Sequence, residues 1–449
     1  MPVILITDVL VWLLVAAAAG YAFYCRRHPH LAVPWARVLR SPAAMASAVV
    51  LAVYLAVGLL DSLHFRPALE QQAGGSAAAY ASEVLSVLDH ALVHLRGRNE
   101  KTYSAPLATR SYAKEQIELP GGGQARDFPR LRFGGAHLKD EGEWAADVAG
   151  RAAAGIAASG GVLVLCFLLL KVVREKMPGV AWNAAYASLA GLLLLAGPAV
   201  ALCISYHVLG TDKVGQDVFY LALKSVRTSL VIGTVTTLVL LPVGIALGTM
   251  AGYFKGRVDD VIQYFYTTLN SIPGVLLIAA AVLMMQVVID RHSDWFNTAA
   301  QRADFRLFVL CAILGLTSWT GLARLLRGET LKLSELEYIQ AAHAFGVRDS
   351  RILARHILPN LSHIVIITMV MDFSGLVLAE AVLSYVGVGV DPSTNSFGTM
   401  INAARLEMSR EPVVWWALAT AFAFMFTLVL AANLFADAVR DGFDPRVRM

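Results

Sequence analysis

Nine apolar stretches, each long enough for a membrane-crossing helix, dominate this chain. They lie at roughly 3–25, 43–63, 156–173, 182–206, 228–252, 262–289, 306–326, 363–387 and 413–436. A helix needs about 20 apolar residues to cross the hydrocarbon core of a bilayer. The 449 residues are 57% hydrophobic and 16% charged, a more apolar balance than soluble domains have. The sequence therefore predicts an all-α fold, a polytopic transmembrane bundle of about nine spanning helices.

The Lys and Arg residues are distributed unevenly among the loops. If the N-terminus lies outside, the segments facing the cytoplasm hold more than twice as many Lys and Arg residues as the short outside loops. Cytoplasmic loops of membrane proteins are enriched in these residues, so the bias predicts an outside N-terminus and a cytoplasmic C-terminus. The first apolar stretch ends in Arg26 and Arg27 instead of a small-residue cleavage site, and no cleavable signal peptide is expected.

Net charge, cysteines and histidines argue against several other kinds of site. The formal net charge is only +4, so nucleic acid is not an expected partner. His90 and His94 have a spacing that can bind metal, but no nearby residues complete a ligand set, which favours surface or packing roles. Buried free thiols, without disulfides or a metal, are predicted for the four cysteines Cys25, Cys166, Cys203 and Cys311.

A long segment at about 64–155 separates the second and third apolar stretches and is predicted to lie outside the membrane. Its acidic and basic residues are equal in number, so it creates no net field for steering a ligand. Within it, Ser82–Arg96 has the apolar spacing of an amphipathic helix. The composition leaves open whether the segment packs on the outer mouth, caps a partner subunit or is partly disordered.

The sixth apolar stretch contains a helix-breaking sequence, Ser271-Ile272-Pro273-Gly274. Proline kinks occur in membrane helices when neighbouring groups satisfy the freed carbonyls. The sequence predicts a kink here, which is either a static bend or part of a gate.

A polar and basic stretch, Tyr338–Asn360, lies between the seventh and eighth apolar stretches. Its sequence is YIQAAHAFGVRDSRILARHILPN. Its apolar residues Ile339, Ala342 and Phe345 recur at the spacing of a helix. Gly346 permits a turn, a second helical run is predicted at about 349–357, and Pro359 is expected to end that run. The stretch thus predicts a cytoplasmic helix–turn–helix, which by itself is also compatible with an ordinary loop.

This stretch resembles the EAA loop of ABC-importer permeases. The resemblance is carried by Gln340-Ala341-Ala342, Gly346 and Ile357-Leu358-Pro359. Gln340 stands where the family usually has glutamate, and His356 stands at the usual isoleucine position beside Ile357. Glu337 lies one helical turn before Gln340 and offers a charge in place of the missing glutamate. These departures concern the residue-level contacts with a partner ATPase.

Further motifs resemble the dipeptide, oligopeptide and nickel branch of the same permeases. The first of them contains Gly210, Thr211, Asp212, Gly215 and Asp217. Gln216 occupies a position where arginine is usual. From the residues alone, the Thr-Asp pair suits a turn or a helix N-cap, and the last aspartate suits a cap or an ion pair with Lys213 or Arg227. With Val258-Asp259-Asp260 and an ending at 433–446, the resemblance covers about 205–446.

The resemblance implies a permease subunit of an ATP-driven peptide importer, with a core of six spans. It divides the chain into a two-span extension (1–63), an extracytoplasmic segment (64–155), an extra spanning helix (156–181) and the permease transmembrane domain (182–449). Within that domain, the coupling loop at about 327–362 is expected to dock in a groove of a separate ATPase. The extension and the extra span exceed the usual core, and the resemblance does not explain them.

The partners and the location are also implied by the resemblance. A second, homologous permease would complete the pore, two P-loop ATPase subunits would bind ATP and Mg²⁺, and an extracytoplasmic binding protein would deliver the substrate. The chain has no G-x-x-x-x-G-K-S/T phosphate-binding motif, so we expect neither a catalytic residue nor a cofactor on it. The expected location is the bacterial inner membrane, in contact with lipid.

Two carboxylates, Asp372 and Glu380, fall inside the eighth apolar stretch. A charge at the centre of a bilayer costs on the order of 2.5–3.5 kcal/mol, so both are expected to face the bundle, a partner or an aqueous path. A separation of eight residues is about two helical turns and puts both on one face. They either line the translocation pathway or form structural hydrogen bonds with neighbouring helices.

Two other functional classes are compatible with the residues. One is a proton-driven secondary transporter that uses Asp372 and Glu380 as a relay, although no inverted repeat is evident. The other is a membrane scaffold or receptor built around segment 64–155. A neighbouring reading frame with a phosphate-binding motif would favour the importer over both.

Overall fold

The computed structural model describes residues 1–68, 80–118, 124–177 and 179–443. The helices in these ranges are α1 (Ile6–Arg27), α2 (Pro29–Arg40), α3 (Pro42–Asp61), α4 (Val87–Ala91), α5 (Val93–Arg96), α6 (Trp144–Lys176), α7 (Trp182–Cys203), α8 (Val218–Phe254), α9 (Gly256–Ser271), α10 (Gly274–Arg291), α11 (Ala299–Ser318), α12 (Thr320–Ser334), α13 (Glu337–Ala344), α14 (Asp349–Ile352), α15 (Leu358–Val386), α16 (Phe397–Glu407) and α17 (Trp416–Phe443). The strands are β1 (Pro2–Val3), β2 (His64–Phe65), β3 (Leu85–Ser86), β4 (Glu115–Glu118) and β5 (Gln124–Asp127).

Nine helical stretches in the described ranges are long and apolar enough to cross a membrane. They are Ile6–Arg27, Pro42–Asp61, Glu141–Lys171, Trp182–Cys203, Val218–Phe254, Gly274–Arg291, Ala299–Ser334, Asp349–Val386 and Trp416–Phe443. The predicted polytopic helical bundle is therefore confirmed. Within these ranges the strands are few and short, and they form two small antiparallel sheets.

The sixth apolar stretch, 262–289, is not one continuous helix. Helix α9 ends at Ser271, Ile272 is extended with φ −92° and ψ 131°, and α10 begins at Gly274. Pro273 lacks an N–H group and disfavours helical geometry in the residue before it, which explains a complete break where we expected a kink. Only α10 from this region is among the spanning stretches.

One compact unit comprises Met1–Ile4, Ala36–Ser229 and Pro392–Leu434. In it, α6 packs along α7, and α7 packs along α3. The Ser159 hydroxyl donates a hydrogen bond to the carbonyl oxygen of Leu193 (2.8 Å), and the Ser188 hydroxyl donates to that of Ala46 (3.0 Å). These bonds between polar side chains and neighbouring backbones fix the α3–α6–α7 packing, because apolar contact alone drives little association inside lipid.

The segment between α3 and α6 folds in the same unit. Strands β1, β2 and β3 form an antiparallel sheet in which Val3 pairs with His64 and Phe65 pairs with Leu85. The predicted Ser82–Arg96 helix is wrong in its extent, since the chain forms β3, α4 and α5 there. Ser86 ends the strand and caps α4 in a capping box with Asp89, so the helix starts after it.

A buried charge cluster joins this segment to α3 and α8. The Lys224 ammonium lies 2.6 Å from Asp61 Oδ1 and 3.1 Å from Asp89 Oδ2. The Tyr220 hydroxyl donates to the other oxygen of Asp89 at 2.7 Å. All three charged side chains are buried or nearly so, with exposed fractions of 15%, 4% and 6% in the order Lys224, Asp61, Asp89. Such a buried cation requires its carboxylates, because an unpaired charge in this environment is very costly.

The other compact unit comprises Leu5–Trp35, Leu230–Asp391 and Phe435–Met449. Helix α11 packs against α1 and α10, and α12 packs against α15. The backbone N–H of Thr7 donates to Asp304 Oδ2 at 3.1 Å, which attaches the start of α1 to α11. The predicted C-terminal ending at 433–446 is helical up to Phe443, and its residues 444–446 lie outside the described residues.

Candidate functional site

The Tyr338–Asn360 stretch forms two short helices joined by a left-handed turn. Helix α13 ends at Ala344, and Gly346 follows with φ +75°. The N–H of Gly346 donates to the carbonyl oxygen of His343 (2.9 Å), and that of Val347 donates to the carbonyl oxygen of Ala342 (3.1 Å). A positive φ favours glycine because it lacks a Cβ, so the sequence places the turn where the backbone needs it.

The second half of this stretch does not end at Pro359 as expected. Helix α14 leads into a π-helical turn over Leu353–Ile357, and α15 begins at Leu358 without interruption. Pro359 occupies the first turn of α15. The preceding turn is π-helical, so the α-helical hydrogen-bond pattern is already altered where the proline lacks its N–H. The loop is thus continuous with a spanning helix.

The loop has a buried base and an exposed tip. Its base contributes Ile339, Ile352, Ile357 and Leu361 to an apolar core, with exposed fractions between 0% and 3%. At the tip, Phe345 is 88% exposed. The residues that carry the resemblance differ in exposure. Exposed residues are Glu337, Gln340, Ala341, Gly346 and Pro359. Ala342 and Leu358 are half-buried, and Ile357 is buried. The loop is anchored by its buried base and presents one exposed aromatic side chain at its tip.

Polar contacts fix the loop to the preceding helices. The Tyr253 hydroxyl at the end of α8 donates to Asp349 Oδ1 at 2.8 Å. Arg327 on α12 donates two hydrogen bonds of 2.6 Å to Asp259 at the start of α9. The Arg327 guanidinium lowers the pKa of Asp259 below its usual value, so the carboxylate is ionised at neutral pH. Bidentate pairs of this kind add orientation as well as energy.

Three glycines of α8 let α12 approach closely. Gly244, Gly248 and Gly252 recur every four residues, so they share one face of the helix. A Cβ built on Gly248 would lie 2.6 Å from the carbonyl oxygen and 2.9 Å from the Cα of Ala323. Small residues at this spacing permit backbone contact between membrane helices. Helix α12 leads directly into α13, so the loop stands on a helix that is packed tightly against α8.

The first family-like motif forms a rigid loop before α8. Asp212 Oδ1 accepts hydrogen bonds from the N–H groups of Val214 (2.9 Å) and Gln216 (2.8 Å), which makes it a turn residue as predicted. Asp217 caps α8 by accepting from the N–H of Phe219 at 2.9 Å. Thr211 accepts from the N–H of Ser104 at 2.7 Å. The two glycines of the motif, Gly210 and Gly215, have φ +73° and +79°.

Segment 64–155 binds this motif through a buried ion-pair network. His207 Nδ1 lies 2.8 Å from Asp217 Oδ2, and its Nε2 lies 3.5 Å from Glu100 Oε1. Glu100 also accepts from the backbone N–H groups of Arg132, Phe133 and Gly134 at 2.9, 2.8 and 3.1 Å. The N–H of Glu100 donates to the carbonyl oxygen of Gly215 at 2.9 Å. The segment therefore folds against the motif.

The network holds His207 and Glu100 in the ionised state. Burial disfavours the charged form of His207, but Asp217 and Glu100 outweigh burial and raise its pKa to about 9. Burial likewise opposes ionisation of Glu100, yet His207 and the three backbone donors lower its pKa to about 2. Sequence analysis missed His207 and Glu100. His207 lies close to the motif, but Glu100 is over a hundred residues away and gives no local signal.

Asp372 and Glu380 both lie on α15 but do not meet. Two turns of helix separate them by about 12 Å along the axis. Glu380 is 1% exposed and accepts a hydrogen bond of 2.6 Å from the Ser384 hydroxyl. Asp372 is half-buried, and within the described ranges no hydrogen-bond or ion-pair partner contacts it. The two carboxylates therefore have different environments.

Comparison with known proteins gives the family. The family described as binding-protein-dependent transport system inner membrane component matches residues 244–449. The chain is 35% identical to the glutathione transport system permease protein GsiD of Pectobacterium atrosepticum, over 54% of this chain and 74% of that protein. It is 29% identical to the oligopeptide transport system permease protein OppC of Bacillus subtilis, over 54% and 72%. The OppC protein of Mycobacterium tuberculosis is 30% identical, over 59% and 91%.

The chain belongs to this family of inner membrane components. It is the permease subunit of an ABC importer, and the prediction of a transporter subunit instead of an enzyme is confirmed. Family membership gives no support to the alternative of a proton-driven transporter. The permease family implies no cofactor on this subunit and, in general terms, a partner ATPase and a binding protein.

Both parts of the candidate site, the helix–turn–helix and the α8–α12 contact, have local signals in the sequence. The Tyr338–Asn360 helix–turn–helix is visible in the sequence because its glycine, its helical spacing and its position between apolar stretches are all local. The α8–α12 contact was missed, although the four-residue glycine spacing in 244–252 is a local signal that could have indicated it.

Proposed function

We propose that this permease imports peptides and forms half of a translocation pore with a second, homologous permease. The names of the relatives support this cargo, since they are permeases of glutathione, oligopeptide and dipeptide transport systems. We assign the pore-forming domain to 182–449, with 1–63, 64–155 and 156–181 as additions to it. The proposed location is the bacterial inner membrane, with the N-terminus outside and the C-terminus in the cytoplasm.

The coupling loop is the proposed docking element for two P-loop ATPase subunits that bind ATP and Mg²⁺. The observation that carries this role is the contrast between a base buried at Ile352 and Ile357 and a tip exposed at Phe345. An exposed aromatic on a rigid support is the type of side chain that anchors protein interfaces. Glu337, Gln340 and Ala341 lie on the same exposed loop and are proposed to contact the ATPase.

ATP hydrolysis by the partner would act on this permease through α13, α14 and α12. Because the loop is continuous with α15 and polar contacts attach it to α8 and α9, displacement of its tip moves whole helices. We propose that this motion alternates the pore between inward-open and outward-open states, while a binding protein delivers substrate outside. Asp372 is the better candidate for the pathway, because Glu380 already has a serine partner.

The experiment that tests the assembly is purification of the tagged, full-length permease from native membranes in a mild detergent. Mass spectrometry should identify a P-loop ATPase, a second permease and an extracytoplasmic binding protein among the co-purifying chains. Uptake of labelled di- and oligopeptides into vesicles that contain the complex then tests the cargo. Recovery of the complex with ATP-dependent uptake of a different solute would refute the peptide proposal alone.

Substitution of the loop tip tests coupling. Gly346→Pro is expected to abolish uptake, because proline cannot adopt φ +75° and removes the N–H that bonds to His343. Phe345→Ser should lower uptake at least tenfold while leaving the fold unchanged, since this side chain is 88% exposed. Phe345→Leu, which keeps an apolar side chain, should retain most uptake. Membrane levels of the variants and ATPase co-purification serve as readouts.

Normal uptake by both Gly346→Pro and Phe345→Ser would disprove the docking role of the loop. Loss of uptake with the ATPase still fully bound would show that the tip transmits motion without contributing to affinity. The Leu variant separates the need for an apolar anchor from the need for an aromatic ring.

A further inference from the structure

A cavity of about 720 Å³ lies beside the turn that joins α6 to α7. Its wall includes Phe167, Lys171 and Arg174 from the end of α6, and Trp182 and Tyr186 from the start of α7. Pro42, the first residue of α3, lies in the wall as well. The cavity therefore lies at the ends of three spanning helices, where a bilayer changes from hydrocarbon to headgroups.

The cavity wall carries more positive than negative charge. Within the described part of the chain, neither Lys171 nor Arg174 pairs with a carboxylate, and Glu175 is the only acidic residue in the wall. A Cβ built on Gly179 would lie 3.2 Å from Arg40 Nε, so the Arg40 side chain also reaches the turn. The two cations of the wall, with Arg40 beside the turn, outnumber the one carboxylate and leave an excess of positive charge near the cavity.

Aromatic side chains give the cavity a second property. The ring centroids of Tyr186 and Phe167 are 5.3 Å apart, and those of Tyr186 and Trp182 are 6.4 Å apart. The Tyr186 hydroxyl oxygen is buried, and no group in the described ranges forms a hydrogen bond with it. Tyr and Trp are the residues that membrane proteins place at headgroup level. Tyr186 thus brings to the cavity wall a buried donor that lacks an acceptor within the described residues.

The adjoining surface of α6 suits acyl chains. Leu165, Leu168 and Leu169 are 55%, 59% and 65% exposed, and they precede the basic end of the helix. A ligand with a negatively charged headgroup and long apolar chains would satisfy the cations, the tyrosine hydroxyl and these leucines together.

We propose that this cavity binds an anionic glycerophospholipid, with its phosphate between Lys171, Arg174 and Tyr186. Basic pockets between spanning helices are a known type of site for such headgroups. In the proposed orientation the α6–α7 turn faces the cytoplasm, where anionic lipids are enriched. The site lies in the part of the chain that precedes the matched permease region, so it assigns a lipid-anchoring role to the α6–α7 hairpin.

Native mass spectrometry of the delipidated full-length permease, titrated with phosphatidylglycerol or phosphatidylcholine, tests the site. The wild type should bind one phosphatidylglycerol at least tenfold more tightly than phosphatidylcholine. Lys171→Gln combined with Arg174→Gln should weaken phosphatidylglycerol binding by about 25-fold, because each surface cation contributes about a factor of five. Tyr186→Phe, which removes only the hydroxyl, should weaken it severalfold without changing thermal stability.

The matched control is Arg26→Gln combined with Arg27→Gln, which removes two exposed cations from the end of α1. This variant should bind phosphatidylglycerol within twofold of the wild type. Equal loss in both double variants would overturn the proposal in favour of nonspecific charge attraction. Equal binding of the two lipids would also overturn the proposal. Displacement of phosphatidylglycerol by millimolar inorganic phosphate would overturn it too, because the cavity would then bind a soluble anion.

Discussion

His207→Gln should lower the free energy of unfolding by about 3–5 kcal/mol, the usual cost of removing one partner from a buried ion pair. The substitution leaves the carboxylates of Glu100 and Asp217 buried without the cation that lies between them. The measurement is thermal unfolding of the purified permease, with proteolysis of segment 64–155 as a local readout. His90→Gln, the same change at an exposed histidine, is the control and should alter stability by less than about 0.5 kcal/mol.

The same network predicts a pH dependence. The pKa of His207 is raised to about 9, so its stabilisation is complete below its usual value of 6.5 and is lost as pH rises through about 9. The pKa of Glu100 is lowered to about 2, so its stabilisation is present above 4.5 and is lost as pH falls through about 2. Protection of the segment from proteolysis should therefore decline from pH 7 to pH 9.5. An identical decline in His207→Gln would exclude His207 as the cause.

Gly248→Leu should destabilise the permease by about 3 kcal/mol, the upper end of the usual cost of overpacking, and abolish transport. Even the Cβ of the new side chain would lie 2.6 Å from a backbone oxygen of α12, so the two helices would have to separate. Because α12 leads into the proposed coupling loop, its displacement should also reduce co-purification of the ATPase. Thermal unfolding, membrane level and peptide uptake are the three readouts.

Gly321→Leu provides a stringent control for that change. Gly321 lies in the first turn of α12, and nothing in the described structure is within 4 Å of a Cβ built on it. The same side chain added there should change stability by no more than about 0.5 kcal/mol. Comparable damage from both substitutions would show that α8 and α12 tolerate separation and that the close contact is incidental.

The sequence was informative where the signal is local. Long apolar stretches gave the spanning helices because a bilayer demands about 20 apolar residues regardless of tertiary partners. Gly346 indicated the turn because glycine accepts a positive φ without strain. Asp212 gave a turn because its side chain bonds to the backbone two residues on, which needs no distant partner.

The sequence predictions failed where the structure depends on the conformation or the partners of other residues. Pro359 could not be assigned from composition, since proline ends one helix or begins another depending on what precedes it, and here a π-helical turn precedes it. The Ser82–Arg96 helix failed because two of its residues pair with β2 instead. Lys224 pairs with Asp61 and Asp89, and His207 pairs with Glu100, over separations of more than a hundred positions, and no periodicity encodes such pairs.

The cluster around Lys224 has a consequence for engineering this transporter. A shortened chain that begins near residue 205, with only the family-like core, would bury the ammonium without Asp61 and Asp89. Chimaeras with smaller homologues would meet the same problem at their junctions, unless residue 224 were neutralised at the same time. The first two hundred residues are therefore not a detachable accessory, and domain swaps should carry residues 61, 89 and 224 as one inseparable set.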